Sequence, residues 1–271
     1  MTPRIVVSAD DFGLSLEVNE AVELAHRQGM LSTASLMVAG PAAADAVRRA
    51  RLLPELRVGL HLVVIEGPSV LGPPFGSDQL RLGVQYYFSP AGRRRLQAEI
   101  AAQYRAFAAT GLTLDHANAH KHMHLHPTVG RLLIETGRAF GLRAMRVPAE
   151  PPSLMRACGV KQGSAARALY VWTRLLRRQG ARAGLLMNDW VAGIAWSGSM
   201  TKQRLLRLAT HLPPGLGEIY FHPATRQTTE LAALMPGYDH PVELAALMDP
   251  ELRATLAARA EFVTWVNPRR A

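Results

Sequence analysis

Apolar positions along this chain switch between two periods. Arg4 to Ala9 is a short β-branched run that ends in polar residues. Leu16 to Gln28 then places apolar residues at Leu16, Val18, Ala21, Val22, Leu24 and Ala25, the spacing of a helix face. Strand, loop and helix form the first unit, and the unit recurs. "ASLMVAG" predicts a strand and Ala42 to Leu53 a helix, while "LRVGLHLVV" predicts a buried strand bounded by charge and proline. Helices follow at 91–109, 128–140 and 201–211. "LTLDHANAHKHMHLHP" begins as a strand and ends at Pro127, and "LRAMRVPAE" and "GEIYFHPAT" are further strands. A last helix and the strand "FVTWV" close the pattern.

Alternating strands and helices imply a parallel sheet, because a parallel crossover needs about a dozen residues and usually uses a helix. Seven or eight such units over 271 residues predict an α/β fold, a single-domain (β/α) barrel-like variant of the TIM barrel spanning 1–271. Two segments break the rhythm. One is a Pro/Gly-rich insertion at about 66–90, too long for a simple connection and of the kind that forms lids. The other, at about 151–200, is irregular apart from a helix over Ala165 to Arg178.

Composition narrows the setting. With 48% hydrophobic and 19% charged residues the chain is that of a globular protein, and no apolar stretch approaches the roughly 18 residues of a membrane span. Polar Asp10 arrives before a signal-peptide core could form, which predicts a cytoplasmic protein. Cys158 is the single cysteine, so an internal disulfide and a thiolate metal cluster are excluded. The net charge of +10 favours anionic partners. Only Lys121, Lys161 and Lys202 are lysines, and the arginine clusters read as solvated helix faces without any nucleic-acid-binding motif beside them. Nucleic acid is therefore not an expected partner.

The chemistry-bearing residues fall at strand ends. Asp10 and Asp11, His61, the histidines between 116 and 126, Arg146 and Glu150, and His222 all lie at or just beyond predicted strands, and in a barrel those ends converge on one face. His116, Asn118, His120, His122, His124 and His126 recur every second residue, so an extended segment turns them all one way. At about 3.3 Å per residue His120 and His124 would stand roughly 13 Å apart, too far to share a metal. One or two of the run can ligate, and the others line the site, with His122 and His124 as substrate-binding candidates; a tract that merely scavenges metal is the plainer alternative. Two imidazoles and a carboxylate make a common shell for a catalytic divalent metal. If Asp11 ligates the metal, its neighbour Asp10 stays free as a general base, and two adjacent carboxylates become compatible. "DFG" at 11–13 also matches a kinase magnesium motif, but nothing that precedes that motif in a kinase fits before residue 11.

In order and spacing over nearly the whole chain, "SADDFGLSLEVNEAV", "STASLMVAG", "VGLHL", "NAHKHMHLHP", "LRAMRVP" and "EIYFHPA" closely resemble the YdjC-type carbohydrate deacetylases. "NAHKHMHLHPT" and "RVPAE" resemble most the hopanoid biosynthesis-associated, HpnK-like branch. The resemblance implies a barrel-like fold and divalent-metal-dependent removal of an N-acetyl group from an amino sugar. It further implies Asp11, His61 and His120 as ligands of one zinc or magnesium ion, Asp10 as base and His222 as acid. Where the family more often carries aspartate this chain has Asn118, which removes a carboxylate beside the metal but none of the three ligands. Arg146 and Glu150 either bind sugar hydroxyls or pair with each other.

The HpnK-like wording implies an N-acetylglucosaminyl group on a hopanoid lipid as substrate. The positive charge and the aromatic residues of the 66–90 insertion fit peripheral contact with an anionic inner membrane face, the insertion forming either an apolar lid or lipid cradle beside the metal or a loop packed on its own barrel. Competing readings are a deacetylase of soluble N-acetylated oligosaccharides, a ferrous oxygenase built on the same ligand set, and a non-catalytic sugar- or lipid-binding barrel.

Overall fold

Among the described residues nine strands carry the fold: β1 (Arg4–Phe12), β2 (Thr33–Leu36), β3 (Arg57–Leu62), β4 (Leu114–Ala119), β5 (Ala144–Met145), β6 (Leu186–Met187), β7 (Trp190–Ala192), β8 (Leu216–Phe221) and β9 (Glu261–Phe262). They come from a computed structural model that describes residues 2–266. All named strand pairs are parallel, in the order β6-β5-β4-β3-β2-β1-β8-β7, with β9 added to β1. The two end strands of that order, β6 and β7, are consecutive in sequence, so the sheet curls back on itself. The Asn188 amide, between β6 and β7, ties this seam to the chain after β5: it accepts from Val147 N at 2.7 Å and donates to Val147 O at 2.8 Å. Val191 N also donates to Ala149 O at 3.0 Å. This is the barrel-like α/β fold that the alternating periodicity predicts.

Inside the curl, side chains are stacked in layers because every second residue of a strand faces inward. Val6, Ala144, Leu216, Val263 and Trp265 form an apolar plug at the amino-terminal end of the strands. Two residues further along β1, β8 and the chain after β5 stand Ser8, Glu218 and Arg146, a buried polar layer. Two residues further again come Asp10 and Tyr220, at a cavity. Outward-facing Ile5, Val7 and Ala9 of β1 join the main core beneath the helices.

Helix bounds follow the sequence pattern closely where amphipathicity is strong. The first helix spans Leu16–Gln28 and is capped by Ser15, whose hydroxyl accepts from Val18 N at 3.2 Å. Others span Ala43–Arg51, Pro90–Ala109, Pro127–Ala139, Ser164–Arg182 and Lys202–Ala209. The region expected as one last helix contains three, Thr229–Leu234, His240–Met248 and Pro250–Ala257. The Pro/Gly-rich insertion holds a helix of its own, Gln79–Phe88, and a bridge between Gly67 and Phe75. Among the described residues no helix is long and apolar enough to cross a membrane.

Candidate active site

The cavity at the carboxyl ends of the strands measures about 220 Å³ and is lined by Asp10, Asp11, His61, His120, His122 and His222, with Tyr220, Tyr238, Ile194, Ser197 and Met235 among the remaining walls. Adjacent residues of a strand normally point to opposite faces, so Asp10 and Asp11 need a local device to share it. Asp11 provides it with φ 62, the left-handed region, at a register shift between Ala9 and Phe12 in the β1–β2 pairing. A positive φ outside glycine costs free energy and is concentrated where function over-determines the backbone. Gly13, at φ 97, turns the chain next, and its N–H donates to Asn19 Oδ1 at 2.8 Å.

Asp11 Oδ1 lies 3.2 Å from His61 Nε2 and 3.3 Å from His120 Nδ1, and the two ring nitrogens are 3.4 Å apart. His61 Nδ1–H donates to Asn118 Oδ1 at 2.7 Å, which fixes the tautomer and leaves the Nε2 lone pair turned towards Asp11 and His120. Three electron-rich atoms thus converge, and both Asp11 oxygens are buried with no hydrogen-bond donor. Such an arrangement calls for positive charge at its centre. Burial opposes charge on His61, yet Asp10 and Asp11 raise its pKa, so a proton and a metal cation compete for one lone pair. Ligands tetrahedral about zinc at about 2.1 Å are separated by roughly 3.4 Å, and the observed triangle matches. Two imidazoles and a carboxylate therefore fit a divalent ion.

Asp10 is held differently. Arg146 reaches it through Nη1 to Oδ2 at 2.5 Å and Nη2 to Oδ1 at 3.0 Å, and Asn118 Nδ2 donates to Oδ1 at 3.0 Å. Burial would push the carboxyl up, but Arg146 outweighs it, and together with His61 and His222 holds it far below the usual carboxylate range. Asp10 is therefore ionised at any working pH. Glu218 occupies the opposite side of the guanidinium, at 2.8 Å from Nε and 2.7 Å from Nη2, and accepts from Ser8 Oγ at 2.6 Å. One buried cation thus spans two carboxylates.

Several expected contacts are corrected by this layout. Arg146 is 0% exposed and filled by Asp10 and Glu218, so it neither pairs with Glu150 nor offers a donor to a sugar. Glu150 is buried as well, and accepts from the backbone N–H groups of Gly193, Ile194 and Ala195, fixing the loop whose Ile194 lines the cavity. The histidine run does not face one way throughout. His116, Asn118 and His120 keep the strand alternation, but the chain turns at His120–Leu125, with Lys121 and His122 at φ 49 and 54. His116 stacks on Trp265 in the plug, and His124 points away from the cavity with Nε2 3.0 Å from Arg146 O. Burial, then Arg146, pushes its pKa down to about 3. His122 does line the cavity, 3.2 Å from Tyr220 OH. Burial, then His124 and Arg146, lowers its pKa too.

His222 directly follows β8, one residue beyond the Ala9–Phe221 pairing and so next to Asp10 of the neighbouring strand, with its ring between those of Tyr220 and Tyr238. Its backbone is held twice: the N–H donates to Glu243 at 2.5 Å and the carbonyl lies 2.6 Å from His240 Nδ1. Burial lowers its pKa, which favours the neutral ring. Burial also pushes buried Glu243 up to about 7 against four backbone donors. Asn118, Glu218, Tyr220 and Glu243 are the participants that sequence reasoning did not assign. Asn118 and Tyr220 carried a signal, each lying two residues before a cavity histidine on an inward-facing strand position.

Known proteins resemble this chain in sequence and in fold. The family described as YdjC-like protein matches residues 4–258. A carbohydrate deacetylase of Vibrio vulnificus (strain CMCP6) is 36% identical over 146 residues, 51% of this chain and 56% of that protein, so the match spans little more than half of that relative's length. A carbohydrate deacetylase of Geobacillus stearothermophilus is 27% identical over 264 residues, 96% of each chain. In structure, a protein of Enterococcus faecalis V583 with a proposed role in cellobiose-phosphate cleavage superposes with a TM-score of 0.73 at 18% identity, covering 98% of each chain, a likeness of fold.

Proposed function

This chain belongs to the YdjC-like family, and from that premise we propose that it is a carbohydrate deacetylase that hydrolyses the N-acetyl group of an amino sugar with a divalent metal held by Asp11, His61 and His120. The convergence of those three ligand atoms beside an ionised, immobilised Asp10 carries the reading. Carbohydrate deacetylase is also the description of the similar Vibrio and Geobacillus proteins. Zinc or magnesium can serve, and the two imidazole nitrogens favour zinc.

When bound, such an ion polarises the acetyl carbonyl and makes a water more acidic. Asp10 then accepts the proton of the attacking water at a carboxylate oxygen facing the cavity. Arg146 keeps that carboxylate charged and in place, at the cost of basicity, while Asn118 orients it together with His61. Expulsion of the amine needs a proton, since an amide anion is a very poor leaving group, and His222 beside Asp10 is the donor in its cationic form, which the Asp11 and Asp10 carboxylates favour against the effect of burial. His122 and Tyr220, 3.2 Å apart and in contact with each other, form a polar part of the cavity wall against which the sugar would lie.

For the substrate we propose an N-acetylglucosaminyl group carried on a hopanoid lipid, the reading supported by the HpnK-like wording of "NAHKHMHLHPT" and "RVPAE". Acetate release by the metal-loaded protein from lipid-linked and from free N-acetylglucosamine tests both levels. Faster turnover of free oligosaccharides overturns the lipid assignment and leaves the deacetylase standing; no release from any N-acetyl sugar overturns both.

A further inference from the structure

Two helices outside the cavity carry apolar stripes that face solvent. On Gln79–Phe88 the stripe is Leu80, Val84, Tyr87 and Phe88, spaced i, i+4, i+7, i+8, with Leu80 79% and Phe88 71% exposed. On Ser164–Arg182 it includes Ala168, Val171, Trp172 and Leu175, spaced i, i+3, i+4, i+7, and all are exposed. That spacing ordinarily marks the face a helix buries in its own core. The Ser164–Arg182 helix buries a different face, through Thr173, Leu176 and Gly180.

The stripes meet. Tyr87 packs edge-on against His126, with ring centroids 6.1 Å apart, and Trp172 Nε1 donates to Leu125 O at 2.8 Å. Leu125 and His126 close the turn that begins with His120, Lys121 and His122, three residues of the cavity wall. The apolar surface therefore begins where one wall of the active-site cavity ends.

Its charge has a single sign. No aspartate or glutamate occurs in 79–98 or in 151–182, whereas Arg81, Arg93, Arg94, Arg167, Arg174 and Arg178 do. We propose that these two helices form a docking face for an anionic lipid bilayer, with the stripes inserted at the headgroup level and the arginines on the phosphates. Tryptophan and tyrosine beside exposed leucine and phenylalanine suit that boundary. A second copy of this chain fits less well, since a symmetric dimer across the face brings two like-charged surfaces together. The inference concerns a surface outside the cavity and stands whatever chemistry the cavity performs.

Trp172 makes the test direct, because Trp190, Trp196 and Trp265 are buried. Full-length protein is mixed with vesicles of phosphatidylglycerol and phosphatidylcholine, or of phosphatidylcholine alone, and both sedimentation and tryptophan emission are read. The expected result is co-sedimentation and a blue shift with the anionic vesicles only, both reversed by high salt, the shift being absent in Trp172→Phe. Leu80→Ser with Phe88→Ser abolishes partitioning. Arg174→Glu with Arg178→Glu weakens it at least about 25-fold, from roughly fivefold per basic residue. All four changed residues are exposed, so thermal melts stay as in the unaltered protein. No binding to anionic vesicles, or binding that both double variants retain in full, overturns the proposal. So does a lipid-independent dimer that Leu80→Ser with Phe88→Ser disrupts, or a higher affinity for single-stranded RNA than for the vesicles.

Discussion

His61 donates through Nδ1 to the side-chain oxygen of Asn118 at 2.7 Å, and the amide nitrogen of the same asparagine donates to Asp10 at 3.0 Å. One neutral side chain thereby sets the tautomer of a candidate metal ligand and the orientation of a candidate base. An aspartate in this place can accept from His61 but has nothing to donate to Asp10, and the two carboxylates repel at that distance.

Asn118→Asp is therefore expected to lower turnover with the fold intact, and Asn118→Ala to weaken metal affinity about 10- to 100-fold by freeing the His61 ring. Metal titration and steady-state kinetics on the two variants check this. Unchanged values for both variants contradict the account.

The convergence of Asp11, His61 and His120 predicts that His61→Ala, His120→Ala and Asp11→Asn each lose the divalent ion. Elemental analysis after gel filtration reads it out. Chelation of the unaltered protein should also raise the accessibility of His61 to a proton, seen as a shift in its ring NMR signals to the protonated form. Metal retained by all three variants places the ion elsewhere.

Arg146 joins Asp10 and Glu218 with no solvent access, so Arg146→Met leaves two buried carboxylates uncompensated. Removing one partner of a buried pair typically costs about 3–5 kcal/mol, read here as a lower urea midpoint.

The same contact predicts an acid limb. The folded Asp10 carboxyl lies far below its unfolded value of about 3.9, so its contribution is fully present above that value and is lost as pH falls towards the folded one. Between pH 4 and 2 the unaltered protein should lose stability more steeply than Asp10→Asn. Equal slopes in urea unfolding at those pH values contradict the pairing.

Much of this is legible in the sequence. The first strand and helix, the alternation that makes the sheet parallel, and the placement of Asp10, Asp11, His61, His120 and His222 at strand ends all follow from local periodicity, which sequence expresses well. Long-range pairing does not. Arg146 and Glu218 are 72 residues apart, and nothing local to "RVPAE" distinguishes a guanidinium that binds sugar from one that clamps two buried acids. The turn at His120 escaped for another reason: alternation of histidines is a strand signal, and two left-handed residues in its midst overrode it. Short strands such as β5, β6 and β7 carry too few residues to show any period.

Asp10 and the metal triad act together on an N-acetyl group in the proposed reaction. Its most direct test is acetate release from N-acetylglucosamine substrates by zinc-loaded protein, chelated protein and Asp10→Asn in parallel. Loss of a general base costs about 10²- to 10⁴-fold in rate. The predicted result is release by the loaded enzyme, none after chelation, and a loss of that size in Asp10→Asn with its zinc still bound. Near-normal release by Asp10→Asn, or release that survives complete removal of metal, contradicts it.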